Sequence, residues 1–351
     1  MPDGHRLEVS AWSAGCQLGS VLASRLRPKV FWPQARALVM TTRSARRRSC
    51  RARSCAATLS WGMGLHQDGL VQYVDCRSSS GLDVLLEQTG AVMDGVVGHP
   101  RDNRLRVGVD LGTTFTVVIV TDGTGWPLAG GYAFADVVRD GVVVDFRGAT
   151  DLVRRLKSDV EERLGAHLSH AASGYPPGVG RAEVRAVEHV LDAAGMRCTQ
   201  LVDEPTAANT VLRVRNGAVV DIGGGTTGIA VLSDGELVAV SDETTGGTHV
   251  SLVIAGALGL SFAAAEDRKC DAASAVELFP LVRPVFEKIA SIVGTSIEGY
   301  DVEHLYLVGG SSRFPGIAQV IGDTVGVPTT VPRDPMFVTA LGLAGNDIGT
   351  G

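Results

Sequence analysis

The chain has 351 residues, of which 45% are hydrophobic, 5% are aromatic and 44 are glycine. This composition is typical of an α/β protein with many tight turns, and the length suits one large or two modest domains. Only two of the six cysteines follow residue 106, which argues against a disulfide-bonded scaffold and indicates a cytoplasmic protein. No run of 18 apolar residues occurs, so we expect no membrane span.

The net charge of −6 is unevenly distributed along the chain. Residues 1–106 carry 15 Lys and Arg against 8 Asp and Glu, whereas the remainder carries 17 against 30. Six arginines crowd residues 43–53 without helical or strand periodicity. A basic arm for nucleic acid is one interpretation. We favour instead an extension over residues 1–100 that is disordered or results from a gene start assigned too far upstream, and we expect no nucleic-acid partner. Within it, a short helix is expected between about residues 64 and 100.

Two later stretches of the sequence nearly repeat each other. Residues 106–123 read RVGVDLGTTFTVVIVTDG, and residues 217–235 read GAVVDIGGGTTGIAVLSDG. Each has an apolar run, an aspartate, a Gly- and Thr-rich turn and a second apolar run, which predicts a β-hairpin. Glycines let backbone N–H groups approach an anion closely, and threonine hydroxyls add donors. We therefore expect the two turns to grip a polyphosphate, with Asp110 and Asp221 beside a phosphate-bound Mg²⁺.

The other segments alternate between strand and helix patterns. Amphipathic spacing predicts a helix over residues 150–164, with Thr150 as its N-cap and Gly165 as its C-cap. Such alternation predicts a mostly parallel sheet covered by helices. The remaining predicted elements are a strand at 170–173, a helix at 181–194, a strand at 198–202, a helix at 251–258, a long helix at 273–293, a strand at 304–308 and a closing helix at 334–344.

Two strand-to-helix corners carry further polar residues. Residues 203–209 read DEPTAAN, and Pro205 suits the first turn of a helix. Glu204 then lies at the carboxyl end of a strand, where open α/β sheets bind their ligands. Taken alone, such an acid more often interacts with the helix dipole, but its position between the two turns favours a role in the site. Residues 309–316 read GGSSRFPG, and the first two glycines would let a nucleoside lie against the backbone.

Four of these motifs, in this order, resemble the nucleotide motifs of the actin-like ATPases, which include DnaK-type chaperones and the filament protein MreB. The motifs are residues 110–114, 203–207, 221–226 and 308–315. A narrower resemblance, to the EutJ family of ethanolamine-utilisation proteins, is carried by residues 135–146, 169–171, 175–178, 220–230 and 290–293. It implies the actin-like ATPase fold, an α/β fold with two duplicated ribonuclease-H-like lobes around a nucleotide cleft, here residues 101–215 and 216–346.

The resemblance also implies ATP and Mg²⁺ as cofactors and a role for each site residue. The implied phosphate contacts are Gly112, Thr113 and Thr114 in one lobe and Gly223, Gly224, Gly225 and Thr226 in the other; the implied adenosine contacts are Gly309, Gly310, Ser311 and Arg313. Asp110 and Asp221 would hold Mg²⁺ through its waters, because Mg²⁺ dehydrates reluctantly. The implied catalytic residues are these two aspartates and Glu204, which would position the attacking water.

Three functions stay open at this point. The resemblance favours an ATP-binding chaperone-like protein that assists or reactivates ethanolamine-pathway enzymes or aids microcompartment assembly, and it is compatible with a homo-oligomer. A filament-forming MreB-like ATPase, suggested by residues 139–141, and a small-molecule kinase with Asp145 as its carboxylate are the alternatives. DnaK-type chaperones place a lysine against the phosphates. This chain has only four lysines and Lys157 falls on a predicted helix, so we expect slow hydrolysis or none.

Overall fold

The computed structural model describes residues 79–139 and 141–349. All of the described residues belong to one compact unit. The predictions for residues 1–78, including the arginine cluster, lie outside the described residues. Within the described ranges, no single helix is both long and apolar enough to cross a membrane.

Two five-stranded sheets form the framework. The strands of the first sheet are β1 (Leu105–Leu111), β2 (Phe115–Asp122), β3 (Pro127–Phe134), β6 (His170–Tyr175) and β7 (Arg197–Asp203), and a separate small hairpin contains β4 (Val138–Arg139) and β5 (Val142–Val143). The strands of the second sheet are β8 (Gly217–Ile222), β9 (Thr227–Ser233), β10 (Glu236–Glu243), β11 (Leu305–Val308) and β12 (Thr329–Thr330). The spatial orders β3-β2-β1-β6-β7 and β10-β9-β8-β11-β12 are the same. In each sheet, an antiparallel three-stranded half continues into a parallel half.

The repeat seen in the sequence is also a repeat of strand register. Asp110 of β1 pairs with Val117 of β2, and Asp221 of β8 pairs with Gly228 of β9. Both pairs are related by the same shift of 111 residues. The two predicted hairpins are therefore confirmed, and each is the centre of its own sheet.

Helices cover both sheets. Those in the described residues are α1 (Ser79–Met93), α2 (Phe146–Leu164), α3 (Arg181–Ala193), α4 (Glu204–Leu212), α5 (Gly247–Leu258), α6 (Phe262–Cys270), α7 (Ala275–Ile297), α8 (Ile317–Val325) and α9 (Val338–Asn346). One apolar core joins the first sheet to α2 and α3, and another joins the second sheet to α5, α7 and α8. A third core, between the sheets, contains residues of α1, α4 and α9.

Some boundaries differ from those predicted. Helix α2 begins at Phe146 instead of Thr150, because the Asp145 carboxylate accepts a hydrogen bond from Gly148 N and so caps the helix. Thr150 Oγ1 instead donates to Phe146 O within the helix. Gly165, at φ 63°, ends the helix as predicted. The sequence patterns did not predict β3, β10 or α6.

Two helices at the ends of the described region contribute to the first lobe's packing. Helix α1 packs on β3, and its Leu86 is fully buried, so this part of the predicted 1–100 extension belongs to the core. Helix α9, predicted as part of the second lobe, packs against β1, β6 and α4. The contact between α9 and α4 is between their backbones, because a Cβ on Gly342 of α9 would lie 1.8 Å from Ala207 O of α4.

Candidate functional site

The two Gly/Thr turns connect β1 to β2 and β8 to β9, and they have the same hydrogen bonding. Gly112 N donates to Phe115 O at 3.1 Å, and Gly223 N donates to Thr226 O at 3.0 Å. Each turn directly follows the strand end that carries an aspartate, Asp110 or Asp221. The duplication therefore reproduces one local structure twice, including the position of a carboxylate.

The two turns meet. A Cβ on Gly224 would lie 2.1 Å from Thr114 Oγ1 and 3.3 Å from Thr114 N, so any side chain there would displace Thr114. The residues predicted to contact phosphates come from both lobes and are now found at one place: Gly112, Thr113, Thr114, Gly223, Gly224, Gly225 and Thr226. A ligand with many acceptor oxygens is what two such turns can bind, because each supplies backbone N–H groups and hydroxyls.

Three carboxylates lie next to the turns; Asp221 is buried, and Asp110 and Glu204 are partly buried. Burial, together with the charge of Asp221, raises the pKa of Asp110 to about 7. Burial raises the pKa of Asp221 to about 6, although the hydrogen bond from Thr339 opposes the rise. Burial, and then the charges of Asp110 and Asp221, raise the pKa of Glu204 well above its usual range. The three predicted catalytic acids therefore interact electrostatically within one site.

These acids fit a hydrated magnesium ion. A bound cation favours the ionised forms of clustered acids whose pKa values are raised. Within residues 79–139 and 141–349, no group of three or more His, Cys, Asp or Glu converges as direct metal ligands. Mg²⁺ suits such a site, because it keeps several waters and binds through one or two carboxylates and the phosphates of a substrate. Asp110 and Asp221 are the residues that would hold it.

Asp221 is held from two sides. Thr339 Oγ1, on α9, donates a hydrogen bond to Asp221 Oδ2 at 2.6 Å. On the other side lies Gly309, whose Cβ, if present, would be 2.3 Å from Asp221 Oδ1. Gly309 also has a φ of 85°, which favours glycine. The sequence pattern did not single out Thr339, because a threonine in a closing apolar helix carries no local signal of such a contact.

The segment predicted to contact adenosine lies against the second turn. Ser311 Oγ donates to Gly223 O at 2.7 Å, and Gly247 N donates to the same oxygen at 2.9 Å. Gly310, which precedes Ser311, is exposed to solvent. The charge of Arg313 acts on Asp334, where it opposes the rise in pKa that burial causes. The structure thus brings Gly309, Gly310 and Ser311 to the phosphate turns, with Arg313 at the end of the same 3₁₀ turn.

A buried ion pair at this side of the site was not predicted from the sequence. Lys269 Nζ lies 2.7 Å from Glu266 Oε1 and donates to Gly247 O at 3.2 Å. The side chains of Lys269 and Glu266 are only 11% and 9% exposed. Ser251 Oγ also donates to Glu266. The Glu-x-x-Lys spacing places both charges on one face of α6. The sequence pattern did not predict this helix, so the spacing alone did not indicate an ion pair.

Two residues considered from the sequence lie in structural roles. Lys157 Nζ forms an ion pair with Glu161 on α2 at 2.8 Å, which agrees with the expectation that it does not face phosphate. Asp145, the carboxylate considered for a kinase, is exposed and caps α2. The kinase hypothesis therefore has no catalytic carboxylate at that position.

Duplicated sheets of this topology, with facing Gly/Thr turns and an aspartate at the end of each entry strand, define an actin-like ATPase fold. The crystal structure of MreB5 of Spiroplasma citri bound to AMPPNP has this fold, with a TM-score of 0.57 and 18% identity over 69% of this chain and 95% of that one. Family models described as "MreB/Mbl protein" and "Cell division protein FtsA" match residues 133–258 and 218–342.

More specific relatives lie within one family. The ethanolamine utilization protein EutJ of Escherichia coli K12 is 41% identical over 258 residues, which are 73% of this chain and 91% of that protein. The crystal structure of EutJ from Carboxydothermus hydrogenoformans matches with a TM-score of 0.72 and 43% identity over 76% of this chain and 98% of that one. The chain belongs to the EutJ family.

Proposed function

We propose that this protein is an ATP-binding, chaperone-like EutJ protein that assists or reactivates enzymes of ethanolamine utilisation or helps to assemble their microcompartment. The observation that carries the nucleotide part is the contact of Thr114 with Gly224, which unites the two duplicated turns beside Asp110, Asp221 and Glu204. Membership of the EutJ family supports the pathway. The expected location is cytoplasmic, with association to a microcompartment.

Nucleotide binding would use donors from both lobes. Backbone N–H groups of the glycine turns, with the hydroxyls of Thr113, Thr114 and Thr226, would bind the phosphates. The adenosine would be flanked by Gly309, Gly310, Ser311 and Arg313. The ion pair of Lys269 with Glu266 lies next to this segment, because Lys269 donates a hydrogen bond to Gly247 O. When bound, Mg²⁺ would neutralise charge on the phosphates and on the two aspartates.

Hydrolysis would be slow. Glu204 would orient the attacking water, and burial together with the charges of Asp110 and Asp221 raises its pKa, which disfavours the ionised carboxylate. Phosphoryl transfer depends mainly on positioning and on cations that stabilise the developing charge. Lys157 is the one lysine between residues 101 and 215, and Glu161 already binds it. Slow turnover suits a protein that couples hydrolysis of ATP to a conformational change.

The site would control the lobes through two helices. Glu204 is the first residue of α4, and Thr339 lies in the first turn of α9. The two helices touch at Gly342 and Ala207 without intervening side chains. A shift at the phosphate turns would therefore move both helices together, and a client protein that binds either lobe would respond to the nucleotide.

Reactivation of a client enzyme tests this proposal. Inactivated ethanolamine ammonia-lyase is incubated with the full chain and Mg-ATP, and its activity is measured afterwards. We expect recovery with wild-type protein and with Glu162→Gln, which removes an exposed carboxylate on α2, and no recovery with Glu204→Gln. Absence of any effect of the wild-type protein on the activity or solubility of pathway enzymes would contradict the chaperone-like role.

A structural ATPase is the alternative, and the match of residues 133–258 to the MreB/Mbl family favours it over a kinase. In that case the protein would assemble into filaments when Mg-ATP is added. Light scattering across a concentration series, with and without Mg-ATP, distinguishes the two. A signal that stays flat excludes the filament.

A further inference from the structure

The duplication of the two sheets breaks down in one row of paired residues. In the second sheet, Asp221 of β8 pairs with Gly228 of β9, and Gly228 pairs in turn with Asp242 of β10. Residues that pair directly across neighbouring strands place their side chains on the same face of a sheet. Asp221 and Asp242 therefore lie on one face, two strand spacings of about 4.8 Å apart. The residue between them has no side chain.

The corresponding row of the first sheet is filled. Asp110 pairs with Val117, which pairs with Tyr132. Val117 is only 2% exposed, and the ring of Tyr132 packs against Phe115 and Phe337. The first lobe thus has packed side chains where the second lobe has a glycine and a carboxylate. The folding of such a lobe does not require either of them.

Residues of the first lobe border the space above Gly228. A Cβ placed on Gly228 would lie 3.4 Å from Pro177 Cδ, 3.4 Å from Pro205 Cδ and 3.5 Å from Asp242 Oδ1. Asp242 Oδ1 is buried. Pro205 lies in the first turn of α4, which begins at Glu204. Asp242 therefore borders a gap between the lobes whose opposite wall is the helical turn that carries Glu204.

Asp242 also acts electrostatically on Glu204. Burial is the largest cause of the raised pKa of Glu204, and the charges of Asp110, Asp221 and Asp242 follow in that order. Asp242 thus acts on Glu204 in the same way as the two aspartates that follow from the sequence repeat. It lies 21 residues beyond Asp221 on a strand that the sequence pattern did not predict.

We propose that Asp242 is a second carboxylate of the hydrolytic site and binds the attacking water in the gap above Gly228, opposite Glu204. This inference rests on the proposed function, in which ATP is bound between the two turns. A water at the position of the missing Cβ needs to move less than about 1 Å to reach hydrogen-bonding distance of Asp242 Oδ1. A side chain at residue 228 would occupy the place of this water.

The two acids divide the work on the water between them. Glu204 orients the water, and Asp242 accepts a proton from it. The water oxygen bonds to the γ-phosphorus while the bond between that phosphorus and the bridging oxygen breaks, and the electron pair of the broken bond leaves with ADP.

Kinetics and nucleotide binding of the full chain test the proposal. Asp242→Asn keeps the size of the side chain, and Gly228→Ala fills the gap at ordinary contact distances of 3.4–3.5 Å. Glu243→Gln is the matched control, because Glu243 is the exposed neighbour on β10 and its side chain points to the opposite face. We expect the first two variants to lower kcat for phosphate release at least about tenfold, since a general base contributes roughly 10²–10⁴-fold. Their Kd for Mg-ATP and both constants of the control should match wild type.

A crystal structure of the full chain with AMPPNP and Mg²⁺ supplies a readout that does not depend on turnover. We expect an ordered water within about 3.2 Å of an Asp242 carboxylate oxygen in wild type, and its loss in Gly228→Ala. A wild-type structure without this water, or wild-type turnover in Asp242→Asn, overturns the proposal. So does an Asp242→Asn variant that loses affinity for Mg-ATP, because Asp242 would then act in binding. A wild-type protein that binds no ATP overturns the proposed function as well, whereas ATP binding with unchanged turnover in Asp242→Asn removes this inference alone.

Discussion

Thr339 Oγ1 donates a 2.6 Å hydrogen bond to Asp221 Oδ2, and both side chains are buried. Thr339 belongs to α9, which packs on the first sheet, whereas Asp221 lies at the end of β8 in the second. The bond therefore joins the two lobes at a carboxylate that we propose holds Mg²⁺. It also stabilises the ionised form of Asp221 against the opposing effect of burial.

Removing that hydroxyl should weaken Mg²⁺-dependent nucleotide binding. Thr339→Val keeps the shape of the side chain and loses a hydrogen bond to a charged group, which is worth about 1.5–3 kcal/mol. We expect roughly ten- to hundredfold weaker binding in titrations of ATP with Mg²⁺. Thr339→Ser keeps the hydroxyl and should bind as wild type does. Equal affinities for the valine and serine variants would show that the hydroxyl has no such role.

The raised pKa values predict how the stability of the protein without Mg²⁺ and nucleotide depends on pH. Asp110 and Asp221 bind protons more tightly when folded, with pKa values of about 7 and about 6 instead of 3.8. Between pH 3.8 and these raised pKa values, the folded state therefore binds more protons than the unfolded state. The stability that this extra proton binding contributes is lost as the pH rises through about 6 and about 7.

Thermal melts across this pH range test that prediction. Asp110→Asn should become increasingly more stable than wild type as the pH rises from about 4 to about 7, because the variant cannot acquire the buried charge. Asp323→Asn, at an exposed position on α8, should leave the pH dependence as it is in wild type. A constant difference between Asp110→Asn and wild type would contradict the assignment.

The contact between α4 and α9 should tolerate no side chain at Gly342. A Cβ there would lie 1.8 Å from Ala207 O, which is a backbone atom and cannot move independently. We expect Gly342→Ala to lower the free energy of unfolding by about 3 kcal/mol, at the upper end of the range for overpacked cores. Gly294→Ala in α7 is the control, because its nearest neighbour would be 3.9 Å away. It should be neutral or stabilising by up to ~1 kcal/mol. Similar denaturation midpoints for both variants would contradict the packing argument.

Glu204→Gln should separate binding from hydrolysis. The amide preserves the size of the side chain but accepts a hydrogen bond from water less strongly, so ATP should bind while the rate of phosphate release falls. Because burial and the charges of Asp110 and Asp221 already disfavour the ionised form of Glu204 and raise its pKa, a neutral amide of the same size should change nucleotide affinity little. Phosphate release by Glu204→Gln at the wild-type rate would remove this residue from the proposed mechanism.

The duplicated hairpins could be predicted because the repeat combines a strand pattern, an acid and a glycine turn in consecutive residues. The strands β3 and β10 could not, since β3 contains Gly130 and Gly131 and β10 exposes Leu237 and Val240. Neither stretch has the alternation of a half-buried strand. The same limit applies to the site. Glu204 follows from its motif, whereas Thr339 and Lys269 reach the site through contacts between residues far apart in the chain, 118 residues for Thr339 and Asp221.

Calorimetric titration of the full chain with Mg-ATP tests the central claim most directly. Wild-type protein and the exposed control Asp323→Ala should bind one nucleotide per chain with the same Mg²⁺-dependent affinity. Asp221→Ala should lose most of that dependence, because the carboxylate between the second phosphate turn and Thr339 is gone. An affinity for Mg-ATP in Asp221→Ala equal to that of wild type would contradict the assignment of this cleft as the nucleotide site.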